Sequence, residues 1–177
     1  MRRVTVPSDS VVVVGCGSST LIRELVDDGY AAIIAVDIAQ PALDQLRVSL
    51  ADHATNVTMV RADARTVRLS RTVTLWHDRA TFHFLTDAAD QVAYATRAAS
   101  SVEPGGHLVL AEFATDGPTS CSGLNVARHS AATLQSAFST GFELIESFER
   151  DHITPAGVTQ RFVHALMIRR ELASVVE

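Results

Sequence analysis

The chain is 177 residues long, which fits one domain over residues 1–177 and lets it bury roughly two-thirds of the surface exposed when unfolded. Its 47 % apolar and 20 % charged residues belong to a folded globular protein and exclude an intrinsically disordered one. A net charge of −5 argues against a nucleic-acid partner, which needs clustered cations, and the complete absence of lysine excludes Schiff-base chemistry. No apolar run approaches bilayer-spanning length, so a cytoplasmic protein with no membrane partner is expected. The two cysteines, Cys16 and Cys121, form no CxxC pair and the seven histidines lack ligand spacing, so no metal site is expected.

Apolar runs alternate with helix-like stretches along the chain, the pattern of an α/β fold with a mainly parallel sheet. A strand over 11–15 is the buried run Val11-Val12-Val13-Val14-Gly15, and a helix over 19–28 follows the loop Gly15-Cys16-Gly17-Ser18-Ser19. A second strand over 31–37 ends at Asp37, twenty residues after Gly17, the spacing at which a dinucleotide fingerprint places its ribose-binding acid. Asp37 also suits a helix entry, since Pro41 fits the first turn of a helix over 41–52. A third strand over 57–61 leads to Arg61-Ala62-Asp63-Ala64, and a fourth over 72–76 leads to Trp76-His77-Asp78-Arg79. A helix over 87–101, a strand over 106–113 behind the turn Pro104-Gly105-Gly106 and a helix over 130–139 come next. Strands over 142–150 and 160–169 close the chain as a hairpin.

Glycines between a buried strand and a helix start let backbone approach a ligand, and the free N–H groups there favour a negatively charged group. Dinucleotide enzymes prefer G-x-G-x-x-G, and here Thr20 replaces the third glycine, which disfavours a nicotinamide-dependent oxidoreductase. The loop instead resembles motif I of the class I S-adenosylmethionine-dependent methyltransferases. The runs Gly15-Cys16-Gly17-Ser18-Ser19, Val36-Asp37-Ile38 and Asp78-Arg79-Ala80-Thr81 are similar to the elongation-factor lysine methyltransferase-like branch, a core also shared by small bacterial methyltransferases. Ser18 stands for that branch's Asn, Arg79 for Lys and Ala80 for Gly, and the likeness covers residues 11–113. It implies a Rossmann-like, doubly wound sheet of seven strands in the order 3-2-1-4-5-7-6, strand 7 antiparallel, with S-adenosylmethionine as cofactor and S-adenosylhomocysteine as product. Ten residues precede Val11, so the N-terminal cap helices usual in such enzymes are expected to be missing.

The resemblance implies a cofactor site made of Gly15, Cys16, Gly17, Ser18 and Ser19, with Asp37 on the ribose hydroxyls, Ile38 on an adenine face, and Ala62, Asp63 and Ala64 at the adenine edge. Trp76 either stacks beside the ligand or is a core aromatic, and His77 has a place both beside the cofactor and, with Asp78, as a candidate catalytic group. His83 is a second candidate base. Arg79, Cys121 and Arg128 are candidate substrate contacts, the last two in or beside the Gly-, Pro- and Ser-rich lid around 116–123. The expected activity is methyl transfer to a small-molecule or, alternatively, a protein nucleophile, for which alignment suffices and no base is essential. A cofactor-binding pseudoenzyme or partner-dependent module is the rival, because a homodimer or partner chain is expected to cover the open cofactor site.

Overall fold

Four consecutive valines leave no polar position between them, so strand β1 (Ser10–Val14) has to be buried on both faces. It lies inside the sheet, paired in parallel with β2 (Ala32–Asp37) on one side and β4 (Val73–Arg79) on the other. The computed structural model describes residues 3–17 and 19–171, less the side chains of Asp52 and Ala54. Outward from β1 come β3 (Val57–Arg61) beside β2, and β5 (Val102–Phe113), β9 (Thr159–Arg169) and β8 (Phe142–Ile153) beyond β4, giving β3-β2-β1-β4-β5-β9-β8. Strand β9 runs antiparallel to both β5 and β8. A two-stranded ribbon, β6 (Ser120–Cys121) and β7 (Leu124–Asn125), accounts for the shifted numbers, and the expected order of the seven sheet strands is the one observed.

Side-chain alternation splits the core in two. Val11, Val13, Ile33, Ala35 and Leu75 face helices α1 (Leu21–Asp27) and α2 (Gln40–Leu50). Val12, Val14, Trp76, Leu108, Leu110 and Met167 face α3 (Ala88–Ser101) and α4 (Ala131–Phe138). The helix starts carry local signals: Pro41 lies in the first turn of α2, the Asp87 carboxylate accepts from Ala89 N–H, and Ser130 with Thr133 closes a reciprocal capping box on α4.

Three elements depart from the sequence reading. Strand β4 continues to Arg79 because its polar residues still pair in register with β5, Asp78 with Leu110 and Arg79 with Ala111. Strand β5 begins at Val102 and runs through the Pro-Gly-Gly turn, where the pairing slips between Val73 and Leu75. A Cβ on Gly106 would sit 2.8 Å from Thr74 O and 2.9 Å from Glu103 O, so this close approach requires glycine. The β6–β7 ribbon was not foreseen, because each arm is only two residues long. Its turn, Ser122-Gly123, takes φ of 50° and 79°, the left-handed pair of a tight hairpin.

Candidate active site

The carboxyl ends of β1, β2, β3 and β4 open onto a cleft of about 360 Å³, within the range of about 300–1,000 Å³ usual for small-molecule sites. Gly15 follows β1, Val36, Asp37 and Ile38 end β2, and Ala62, Asp63, Ala64 and Arg65 follow β3. The far wall is Thr81, Phe84 and Leu85 from the turn after β4, Tyr94 from α3, and Leu124 from the ribbon. Brought together here are Gly15, Asp37, Ile38, Ala62, Asp63 and Ala64 among the expected residues. Ser18 lies outside the described residues.

Asp37 answers the choice between capping and binding by holding the loop itself. Its Oδ2 accepts from Gly17 N–H at 2.9 Å and its Oδ1 from Ala39 N–H at 2.8 Å, while the N-cap of α2 is Ala39, with no side-chain cap. Each carboxylate oxygen has two acceptor sites, so both retain capacity for a ligand hydroxyl. Gly17 takes φ +46° and Gly15 φ +57°, conformations in which an L side chain is strained. A Cβ on Gly15 would overlap Thr81 Oγ1, so the β1 loop and the β4 turn are in backbone-to-side-chain contact across the cleft floor.

Asp63 pairs with Arg65 at 2.5 Å, and Arg65 reaches Asp90 at 2.5 Å, which ties the β3 loop to α3. The guanidinium hydrogen-bonded to Asp63 holds its carboxyl below the usual range, so it is an ionised acceptor at the cleft edge.

The turn after β4 is organised by buried carboxyls. Asp78 Oδ1 accepts from Thr81 N–H at 2.9 Å, and its Oδ2 accepts from Phe82 N–H at 3.1 Å and from the Tyr94 hydroxyl. Tyr94 in turn accepts from Trp76 Nε1 at 2.9 Å. Glu112, near the end of β5, accepts the next N–H, that of His83, at 3.0 Å on Oε2. Three successive backbone donors are thus held by two side chains with no solvent exposure.

Several expected residues stand elsewhere. Trp76 is a core residue with no exposed surface, packed edge-on to Tyr94 at 5.8 Å, and does not line the cleft. His77 alternates to the opposite face of the sheet from Trp76 and Asp78; burial lowers its imidazole to about 4 and its buried Nδ1 has no partner, so it is not placed as a base at the cleft. Asp78 is wholly buried with both oxygens engaged, so it shapes the turn and touches no ligand space. His83 is also buried and lowered to about 4, so the 3.3 Å approach of its Nδ1 to Glu112 is not an ion pair at neutral pH. Cys16 points into the α1–α2 core, and burial raises its thiol to about 11. Ser19 precedes Thr20, the N-cap of α1, and its hydroxyl accepts from Leu21 N–H at 3.2 Å.

Arg79 and Cys121 meet a common patch around Phe162, the Arg79 guanidinium lying 5.7 Å from that ring, whereas Arg128 is exposed beside Gly117 O at 3.5 Å. The sequence reading did not assign Thr81, Phe84, Leu85, Tyr94, Leu124 or Arg65 to the site. The signal for the first three was their place directly after β4, where ligands bind in such sheets.

Comparison with known proteins agrees with this geometry. Residues 11–106, more than half of the chain, match the family described as methyltransferase domain. The fold is similar to a SAM-dependent methyltransferase from Methanosarcina mazei (TM-score 0.80, 15 % identity, 97 % of each chain covered). It is also similar to the N-methyltransferase NodS from Bradyrhizobium japonicum in complex with S-adenosylhomocysteine (TM-score 0.73, 14 % identity, 93 % of this chain and 80 % of that one). Over 57 residues, 32 % of this chain, the sequence is 33 % identical to the eEF1A lysine and N-terminal methyltransferase of Bos taurus, of whose length the match spans 8 %. Family match, strand order and a cleft at the carboxyl ends of β1 to β4 lead to one conclusion: the chain belongs to the methyltransferase-domain family, the class I fold whose members transfer a methyl group from S-adenosylmethionine.

Proposed function

We propose that this protein methylates a small-molecule nucleophile and that the cleft lined by Gly15, Asp37, Ile38, Ala62, Asp63 and Ala64 holds S-adenosylmethionine. The observation that carries the reading is the Asp37 carboxylate, which bonds the Gly17 N–H at 2.9 Å and so fixes the glycine loop and the ribose acceptor as one unit. The residues present suit the group. Two left-handed glycines give close backbone approach, Asp37 keeps acceptor sites for two hydroxyls, and Asp63 offers an ionised acceptor to an exocyclic amine. Ile38, Ala64, Phe84 and Leu85 supply apolar walls for a flat ring.

When bound, S-adenosylmethionine supplies a methyl group already activated on a sulfonium. The chain's work is then to orient and to exclude water. Gly15 and Gly17 hold the loop open for the ligand's amino-acid end, Thr81 locks that loop against the β4 turn, and Leu124 leans over the cleft from the ribbon. Alignment of this kind contributes most of the acceleration that an activated methyl donor needs. Substrate enters beside the patch of Arg79, Cys121 and Phe162, where a cation and aromatic edges meet at the carboxyl end of the sheet. The Ser120–Asn125 ribbon is the lid over that entrance, and a second copy or a partner chain completes the cover. We place the protein in the cytoplasm. Among the described residues, no helix is long and apolar enough to cross a membrane.

Calorimetric titration with S-adenosylmethionine, S-adenosylhomocysteine and NAD tests the reading. Binding of the first two and not the third is expected; the reverse pattern sinks it. A folded protein that binds S-adenosylmethionine yet transfers no methyl group to any nucleophile, alone or with a covering chain, would leave a pseudoenzyme.

A further inference from the structure

Glu112 and Asp78 sit on neighbouring strands, both without solvent exposure, and their carboxyls come within hydrogen-bonding reach of each other. Together they hold the N–H groups of Thr81, Phe82 and His83. The donors around Asp78 and Glu112 are these three backbone N–H groups and the Tyr94 hydroxyl, with the Thr81 hydroxyl also close to Asp78. That inventory leaves one atom without a donor: Glu112 Oε1, buried and unpartnered as long as both carboxyls are treated as acceptors. A buried polar atom of this kind is costly unless it is paired. The contradiction disappears when Glu112 Oε1 carries a proton and donates it to Asp78. Two carboxylates side by side in a dry interior cannot both stay ionised.

We propose that Asp78 and Glu112 share one proton and act as a positioning pair that keeps the Thr81–Leu85 turn in the shape the cofactor cleft requires. The proposal rests on the reading of that cleft as the cofactor site. Its lever arm is short: Thr81, Phe84 and Leu85 line the cleft directly, Tyr94 lines it too, and Thr81 also abuts Gly15. Neither carboxyl touches ligand space; both act through the turn and the tyrosine. Loss of the shared proton puts two negative charges together under the turn, and relief comes only by separating them and letting the turn shift.

The groups packed around the pair leave it to titrate alone above neutrality. His83 is lowered to about 4 and His129 is lowered as well, both by burial, so both imidazoles are neutral there. Tyr94 is pushed well above its ordinary value by burial and by Asp78, so it remains a donor. Burial raises Asp78 to about 6 and Glu112 well above the carboxyl range. For the two as a coupled pair, one proton is retained at neutral pH and lost on the alkaline side.

The test measures S-adenosylhomocysteine affinity by calorimetry from about pH 6 to 10, with carboxyl carbon resonances of the ligand-free protein followed over the same range. In the wild type one buried carboxyl stays protonated through neutrality, and affinity falls by up to about tenfold per pH unit where that proton leaves, the limit for one linked proton. In Glu112→Gln the amide O accepts from His83 and the amide N–H replaces the shared proton, so the pair's alkaline loss is absent and affinity stays flat. Glu112→Ala, which supplies neither, binds more weakly at every pH. Wild type and Glu112→Gln with superimposable pH profiles would overturn the proposal, as would two carboxyls both ionised at neutral pH. The carbon titration needs only the wild-type protein, so it decides even where Glu112→Gln does not fold. No S-adenosylhomocysteine binding at any pH overturns the cofactor reading and the positioning role with it, an outcome distinct from binding that is insensitive to the proton.

Discussion

Replacing Gly15 with alanine tests how tightly the β1 loop is locked to the β4 turn. The residue has φ +57°, and the added methyl would overlap Thr81 Oγ1 with Thr81 Cβ 3.1 Å and Cγ2 3.3 Å away. The left-handed conformation costs a non-glycine residue about 1–2 kcal/mol. Forcing a methyl into filled space costs about 1–3 kcal/mol more. The sum, about 2–5 kcal/mol, lowers the melting temperature by roughly 4–20 °C for a chain of this size. Gly17→Ala separates the two contributions, since a Cβ there meets nothing nearer than Gly15 O at 3.8 Å and costs the backbone portion alone. Urea unfolding of Gly15→Ala, Thr81→Gly and the double variant closes the argument. Removing the threonine side chain should return about 1–3 kcal/mol of the alanine's cost, a coupling energy usual for residues in contact. Additivity of the two single changes would show that the crowding at Thr81 is not what makes Gly15 necessary.

Asp37→Ala removes two backbone hydrogen bonds and the ribose acceptor, and S-adenosylmethionine affinity should drop by about 1–3 kcal/mol in calorimetry; unchanged affinity refutes the assignment. Gly17→Val should leave a folded protein by circular dichroism that no longer binds cofactor, because a branched side chain resists φ +46° and fills the space beside the loop. Leu124→Asp should weaken cofactor or substrate binding while stability moves by no more than about 0.5 kcal/mol, since the side chain is 61 % exposed and lines the cleft. His77 and His83, both lowered to about 4 by burial, take up fewer protons folded than unfolded between about pH 6.5 and 4. Their contribution is therefore full above about pH 6.5 and lost as pH falls toward 4, about 3 kcal/mol for each, and His77→Phe should show a shallower acid loss in urea unfolding than the wild type.

Much of this architecture is local information. Val11 to Val14 can only be a doubly buried strand, Pro41 marks a helix start, and the interval from Gly17 to Asp37 ties a loop to the next strand end. Residues that these features mark, Gly15, Asp37 and Ile38, line one side of the cleft. The other side is set by long-range packing, which period and composition do not report. Trp76-His77-Asp78 looked like a functional triplet because it follows a strand, yet strand β4 simply continues, and its alternation sends Trp76 and Asp78 into one core and His77 to the opposite face. Tyr94 is not legible for the same reason: it lies in the middle of α3, and its value comes from reaching Asp78 on the sheet face that α3 covers. Leu124 sits in a two-residue strand whose existence depends on a left-handed serine at 122, a conformation that sequence alone seldom reveals.

The Ser120–Asn125 ribbon is fastened at its roots. Ala127 N–H bonds His83 O at 2.8 Å, His129 N–H bonds Phe113 O at 2.8 Å, and Ala114 N–H bonds Arg161 O at 2.9 Å. Between these anchors the ribbon closes on itself through Val126 N–H and Thr119 O, and a Cβ on Gly123 in its turn would meet nothing within 4 Å. Such a segment behaves as a cassette. Its ends are registered by backbone groups, which any residues can provide, so its length and chemistry can change while the strands beneath keep their pairing. On the proposed reading of this ribbon as the substrate lid, exchanging residues 118–126 while keeping the cleft-lining Leu124 is expected to change acceptor preference and to leave the strand pairing beneath intact.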